Sequence, residues 1–66
     1  MPTITLEMAP MNMEQKRKIA EEFTESAARI TGIDKEFFYV FIKENNLENV
    51  AVGGKLLSDK AHETQS

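Results

Sequence analysis

Two strand patterns flank one long helical pattern, and that order constrains the fold of this chain more than any single residue does. Thr3 to Met8 alternates: Ile4, Leu6 and Met8 fall on one face, Thr3, Thr5 and Glu7 on the other. That is the period-two signature of a half-covered strand. Pro10 argues against continuing it, so Ala9 to Asn12 reads as a connection. Asn12, with Gln15 three residues on, has the form of a helix cap completed by a capping box. Ile19, Ala20, Phe23, Ala27 and Ile30 then recur at helical spacing, which predicts a helix over about Met13 to Thr31 with Gly32 as a left-handed C-cap. The second strand is expected from Glu36 or Phe37 to Lys43, a stretch dense in aromatic and β-branched residues.

Phe38, Val40 and Ile42 share one face of that strand, and Phe37, Tyr39, Phe41 and Lys43 the other. Both faces are largely apolar, so both need cover, one from the helix and the other from a neighbouring subunit. Strand, helix, strand predicts parallel strands joined by a right-handed crossover. Asn45, Asn46 and Asn49 mark a loop. Val50–Val52, Gly53-Gly54 and Leu56-Leu57 then predict a short hairpin with a glycine turn. The expected fold class is therefore α/β: a βαβ unit with parallel strands plus a short C-terminal β-hairpin. It occupies residues 1–57 as a single domain, followed by a polar, frayed tail at 58–66.

Size sharpens the expectation of a partner. The chain has 66 residues, and one of this size buries only about 60% of its unfolded surface. It has no cysteine and a single histidine, His62, so neither disulfides nor a thiolate or histidine-rich metal site is expected to staple it. Sharing a core between subunits is the remaining route to a stable fold. The net charge of −3 is mixed along the sequence, which argues against a nucleic-acid partner. No apolar run approaches the roughly 20 residues of a membrane span, and no secretory signal pattern is visible. A cytoplasmic homo-oligomer is expected.

Pro2 is the position from which chemistry is expected. Removal of Met1, which aminopeptidases perform when the next residue is small or proline, turns its nitrogen from an amide into a secondary amine. Desolvation lowers the pKa of such an amine and makes it a general base near neutral pH. With Met1 attached, the same nitrogen has neither proton nor basicity.

Pro2 heading Thr3-Ile4-Thr5-Leu6-Glu7-Met8, Glu14-Gln15-Lys16 opening the helix, Val40-Phe41-Ile42-Lys43-Glu44 in the second strand and Val50-Ala51-Val52-Gly53-Gly54-Lys55-Leu56 at the hairpin form a specific combination. In order and spacing it closely resembles the 4-oxalocrotonate tautomerase family over residues 2 to 57. The resemblance implies a proline-based keto–enol tautomerase (an isomerase) without metal or organic cofactor. The prolyl nitrogen takes a proton from the enol hydroxyl of a 2-hydroxy-2,4-dienoate and returns it to carbon. Two arginines usually bind the substrate's oxygens and an aromatic side chain keeps the pocket dry. Short members assemble as homohexamers, trimers of dimers, with sites built across subunit boundaries, a setting that belongs to aromatic degradation.

The chain departs from that pattern in three places. The arginine expected after the first strand falls at Met11 or Asn12, the mid-strand arginine position holds Tyr39, and Val50 replaces the aromatic before the hairpin. Pro2 is the expected catalytic residue, and Tyr39, Val50, Met11, Asn12 and Lys43 are the expected substrate-binding residues. Tyr39 offers a hydroxyl donor to an enolate oxygen. Lys43 and Lys35 offer charge, and Asn12 a neutral donor. Each has a structural reading too: interface packing for Tyr39, a plain hairpin position for Val50, a solvated strand end for Lys43, a helix cap for Asn12. Met11 is apolar filler or a pocket wall, and His62 is inert. The expected substrate is a 2-hydroxy-2,4-dienoate such as 2-hydroxymuconate, or an arylpyruvate enol. Alternatives are a catalytically silent assembly protein of the same fold, or a related proline-dependent hydratase, decarboxylase or dehalogenase.

Overall fold

The computed structural model describes residues 1–60. Strand β1 (Thr3–Met8) leads through the Pro10 connection into helix α1 (Met13–Thr31), then to strand β2 (Tyr39–Glu44) and a hairpin of β3 (Ala51–Val52) and β4 (Lys55–Leu56). β1 and β2 pair in parallel, from Thr3 opposite Tyr39 to Met8 opposite Glu44. β3 and β4 form a separate antiparallel pair. The expected fold class stands on both counts.

Local chemistry accounts for the limits of α1. The Asn12 side chain accepts from the Gln15 amide at 2.8 Å, and the Gln15 side chain accepts from the Asn12 amide at 3.1 Å. Two donors that the first helical turn leaves orphaned are satisfied reciprocally. At the other end Gly32 takes φ 75 and donates to the Ala28 carbonyl, a left-handed cap that glycine adopts without steric cost. Asn12→Ala is expected to destabilise the fold by about 0.5–2 kcal/mol, read as a lowered midpoint in urea unfolding. An unchanged midpoint would show the cap to be unimportant.

Several expectations need correction. The second strand begins at Tyr39 rather than at Glu36 or Phe37, because Lys35–Phe37 winds into a 3-10 turn. The Asp34 side chain accepts from the Glu36 amide at 3.0 Å and its carbonyl accepts from the Phe37 amide at 3.0 Å. An acidic side chain that bonds its own following backbone competes with the strand ladder. Phe37 is therefore not a strand residue. Ile30 belongs to the apolar stripe by spacing but is 77% exposed, in the last turn of α1, where no described element covers it. The asparagine loop contains a 3-10 turn of its own, Leu47–Asn49. The tail begins with helical backbone at 57–60 instead of fraying at once; its remainder, with His62, lies outside the described residues.

The hairpin turns on Gly53 and Gly54, at φ 61 and 83. Positive φ at both central residues is the geometry whose twist matches the flanking strands. The strands are shorter than expected, although the Leu57 amide still donates to the Val50 carbonyl at 2.8 Å.

The core is what the chain lacks. No described residue is buried. Ile4, Leu6, Phe38, Val40 and Ile42 are half-covered beneath α1, while Tyr39 and Phe41 on the opposite face are 50% and 46% exposed. Their rings stack with centroids 6.5 Å apart. Parallel sheets are normally covered on both faces, and here, among the described residues, no further strand pairs with either outer edge of the β1–β2 pair. No helix among the described residues is long and apolar enough to cross a membrane.

Candidate active site

Pro2 sits one residue ahead of the first register pair and is half-buried. Its carbonyl accepts from the Tyr39 amide at 3.0 Å, so the parallel ladder ties the start of β1 to the start of β2. That single bond fixes Pro2, which follows the exposed Met1, beside the Tyr39 backbone. Lys35 lies in the 3-10 turn just before it.

The other nominated residues gather at the far end of the sheet. β1 advances about 3.3 Å per residue, so Met8 lies roughly 17 Å from Thr3. There Met11 and Asn12 occupy the connection into α1. Met11 lines a shallow apolar depression of about 290 Å³ with Met8, Ile19 and Phe23. Val50 lines a second, of about 230 Å³, that shares Met8 and is bounded by Leu47 and Leu57. Lys43 lies opposite Glu7 on the exposed face, its ammonium 4.0 Å from that carboxylate. Asn12 has its carboxamide oxygen committed to the helix cap. Within one chain, then, Pro2 and Tyr39 come together, and Met11 and Val50 both border Met8, but the two groups stand apart. Among the described residues, no three histidine, cysteine, aspartate or glutamate side chains converge as a metal-binding set.

The sequence reading passed over one pair at this far end. Glu44 accepts from the Met11 amide at 2.7 Å and from the Lys16 ammonium at 2.8 Å. The Lys16 hydrogen bond, then the Met11 amide, holds the Glu44 carboxyl below its ordinary 4.5, against a smaller opposing effect of desolvation. As acid is added the unfolded chain takes up this proton first. The stability Glu44 contributes is complete above 4.5 and is lost as pH falls through the lower folded value. Acid unfolding is expected to be less steep below that point in Glu44→Gln than in the native chain, measured by far-ultraviolet circular dichroism. Identical acid profiles would contradict it.

Comparison with known proteins gives this arrangement its context. The sequence model for the tautomerase family, described as tautomerase enzyme, matches residues 2–60, opening on Pro2. The chain belongs to the tautomerase family. A probable tautomerase of Bacillus cereus is 43% identical over 61 residues, covering 91% of this chain and 100% of that protein. A 2-hydroxymuconate tautomerase of Bacillus subtilis is 42% identical over 60 residues, covering 89% and 97%. Among solved structures, YwhB, described as a homologue of 4-oxalocrotonate tautomerase, superposes with a TM-score of 0.81 at 41% identity, covering 88% of this chain and 97% of that one. The resemblance read from the sequence is thus established, and this tautomerase-family chain is an isomerase-type enzyme.

Proposed function

We propose that this protein catalyses keto–enol tautomerisation of a 2-hydroxy-2,4-dienoate such as 2-hydroxymuconate, or of an arylpyruvate enol, with Pro2 as the base. The observation that carries the reading is the placement of Pro2 at the head of β1, its carbonyl bonded to the Tyr39 amide. The named activity of the Bacillus subtilis relative supports the substrate class.

In this reading Met1 is removed and the freed amine accepts the proton of the enol hydroxyl. Electron density shifts through the conjugated system, and the same nitrogen returns the proton to carbon. The sum is an isomerisation, with no atom gained or lost. Tyr39 donates to the oxygen on which negative charge develops. Met11 and Val50 supply apolar walls that keep the amine desolvated and its pKa low. Asn12 and Lys43 border the same space, Asn12 through whatever donor capacity its cap leaves and Lys43 through its charge.

Such a site needs more than one chain, because Pro2 and the Met11 group lie at opposite ends of the sheet. The exposed face of Tyr39 and Phe41, the open strand edges and the lack of any buried residue support a homo-oligomer. A hexamer, a trimer of dimers, satisfies all three. The cytoplasm is the compartment this reading assumes, and aromatic degradation the setting. The test is ultraviolet-monitored ketonisation of 2-hydroxymuconate and of enol phenylpyruvate by native protein and Pro2→Ala. Equal rates would replace this reading with that of an assembly protein that keeps the fold without the chemistry.

A further inference from the structure

The corner where β1, β2 and α1 meet holds a charge arrangement that the proline reaction leaves unused. Glu44 closes β2 opposite Met8, and the Asn45 amide beside it donates to the Met8 carbonyl at 2.8 Å. The two donors to Glu44 come from different places: the Met11 amide lies in the connection and the Lys16 ammonium on the first turns of α1. One carboxylate therefore clamps the Met11 segment to the strand and the helix together.

Exposure sets this pair apart from the two other ion pairs described above or nearby. The Lys16 and Glu44 side chains are each 29% exposed. The corresponding values are 67% and 72% for Arg17–Glu14, and 61% and 63% for Lys43–Glu7. Partial shielding from water strengthens the pair and reduces its screening by salt. With its carboxyl held in the ionised form, Glu44 cancels the Lys16 charge. Beside it, Met11 and Met8 form the apolar wall of a depression whose rim also carries Lys18 and Glu22, one charge of each sign. A lysine thus stands behind this wall without lending it positive charge.

We propose that Glu44 is a specificity-determining positioning residue. It holds the Met11 segment and neutralises Lys16, so that the wall favours a substrate with one carboxylate and an apolar tail over one with two carboxylates. This rests on the reading that Met11 lines the substrate site.

Steady-state kinetics on 2-hydroxymuconate, a dicarboxylate, and enol phenylpyruvate, a monocarboxylate with an aryl tail, tests it. Glu44→Gln keeps an acceptor for the Met11 amide but frees the Lys16 charge. The KM for the dicarboxylate is expected to fall about threefold relative to that for the monocarboxylate, the size of a partly exposed ion pair, with kcat little changed. Adding Lys16→Met to that variant should cancel the shift. Glu44→Ala also releases the Met11 segment, and is expected to lower kcat/KM for both substrates roughly tenfold. A Glu44→Gln enzyme with the native ratio of KM values overturns the proposal, as does a shift that survives Lys16→Met. Pro2→Ala, run beside these, separates the two readings. If it loses activity while the KM ratio of Glu44→Gln stays native, the specificity role alone fails. If it keeps full activity, the proline mechanism fails, while a shifted ratio in Glu44→Gln still supports the role of Glu44.

Discussion

Processed protein carrying alanine in place of Pro2 is expected to ketonise 2-hydroxymuconate on the order of 10²-fold more slowly than native protein. Alanine is small enough for Met1 still to be removed, so both proteins present a free amine and only its character differs. The pyrrolidine ring fixes the direction of the nitrogen lone pair, whereas an alanyl amine rotates about its own bond and spends little time aimed at the substrate. Because the Pro2 carbonyl is anchored to the Tyr39 amide at 3.0 Å, the ring is held on its far side and has little freedom left. A form that retains Met1 should lose more, toward 10⁴-fold, since an amide nitrogen accepts no proton and the whole general-base contribution disappears. The order matters: native fastest, alanine intermediate, Met1-retaining slowest. A Met1-retaining protein, verified by mass spectrometry, that turned over at the native rate would dispose of the mechanism.

Phe41→Asp is expected to break the proposed homo-oligomer and most of the fold with it. Phe41 is 46% exposed and stacked on Tyr39, on a face that α1 does not cover. Fully burying such a ring against a neighbour is worth about 1.5–3 kcal/mol, and desolvating a carboxylate in its place costs several more. The loss recurs in every subunit of a symmetric oligomer. Sedimentation should show the variant near the monomer mass of 7.5 kDa, with a melting temperature well below native. Native melting itself should rise with protein concentration, as association requires. A variant that sediments and melts like the native protein would mean that this face is free in solution.

Much of this architecture was legible because its determinants are local. The capping box needs only Asn12 and Gln15, the hairpin only Gly53 and Gly54, and the parallel pairing follows from a helix long enough to cross over. The early 3-10 turn was less visible. Asp34 precedes a run of aromatic residues that reads as strand throughout, and the side-chain hydrogen bond that diverts it leaves no periodic trace. Ile30 misled for a different reason: spacing places it on the stripe, but periodicity cannot say how far along the helix the stripe is covered. In the candidate site, Pro2 is a weak signal from its position alone and gains weight from the strand that follows it and from the order of the other motifs. The Glu44–Lys16–Met11 clamp gives no such signal, since its members are separated by up to 33 residues and each is an ordinary residue in its own segment. The division of the nominated residues between two ends of the sheet was implicit in parallel pairing. It became plain only once the register was known.

That register has a consequence for how the protein is processed and handled. The ladder begins at Thr3 opposite Tyr39, so in the proposed processed form the amine belongs to the residue just ahead of the sheet. One more residue at that end would carry the nitrogen about 3.3 Å further out and turn it to the opposite side of the strand. On the proposed mechanism, removal of whatever precedes Pro2 therefore belongs to the design of the base as much as the proline does. A purification tag fused ahead of Pro2 would silence such an enzyme while leaving it folded. The same tag at the opposite end of the protein would leave the amine untouched.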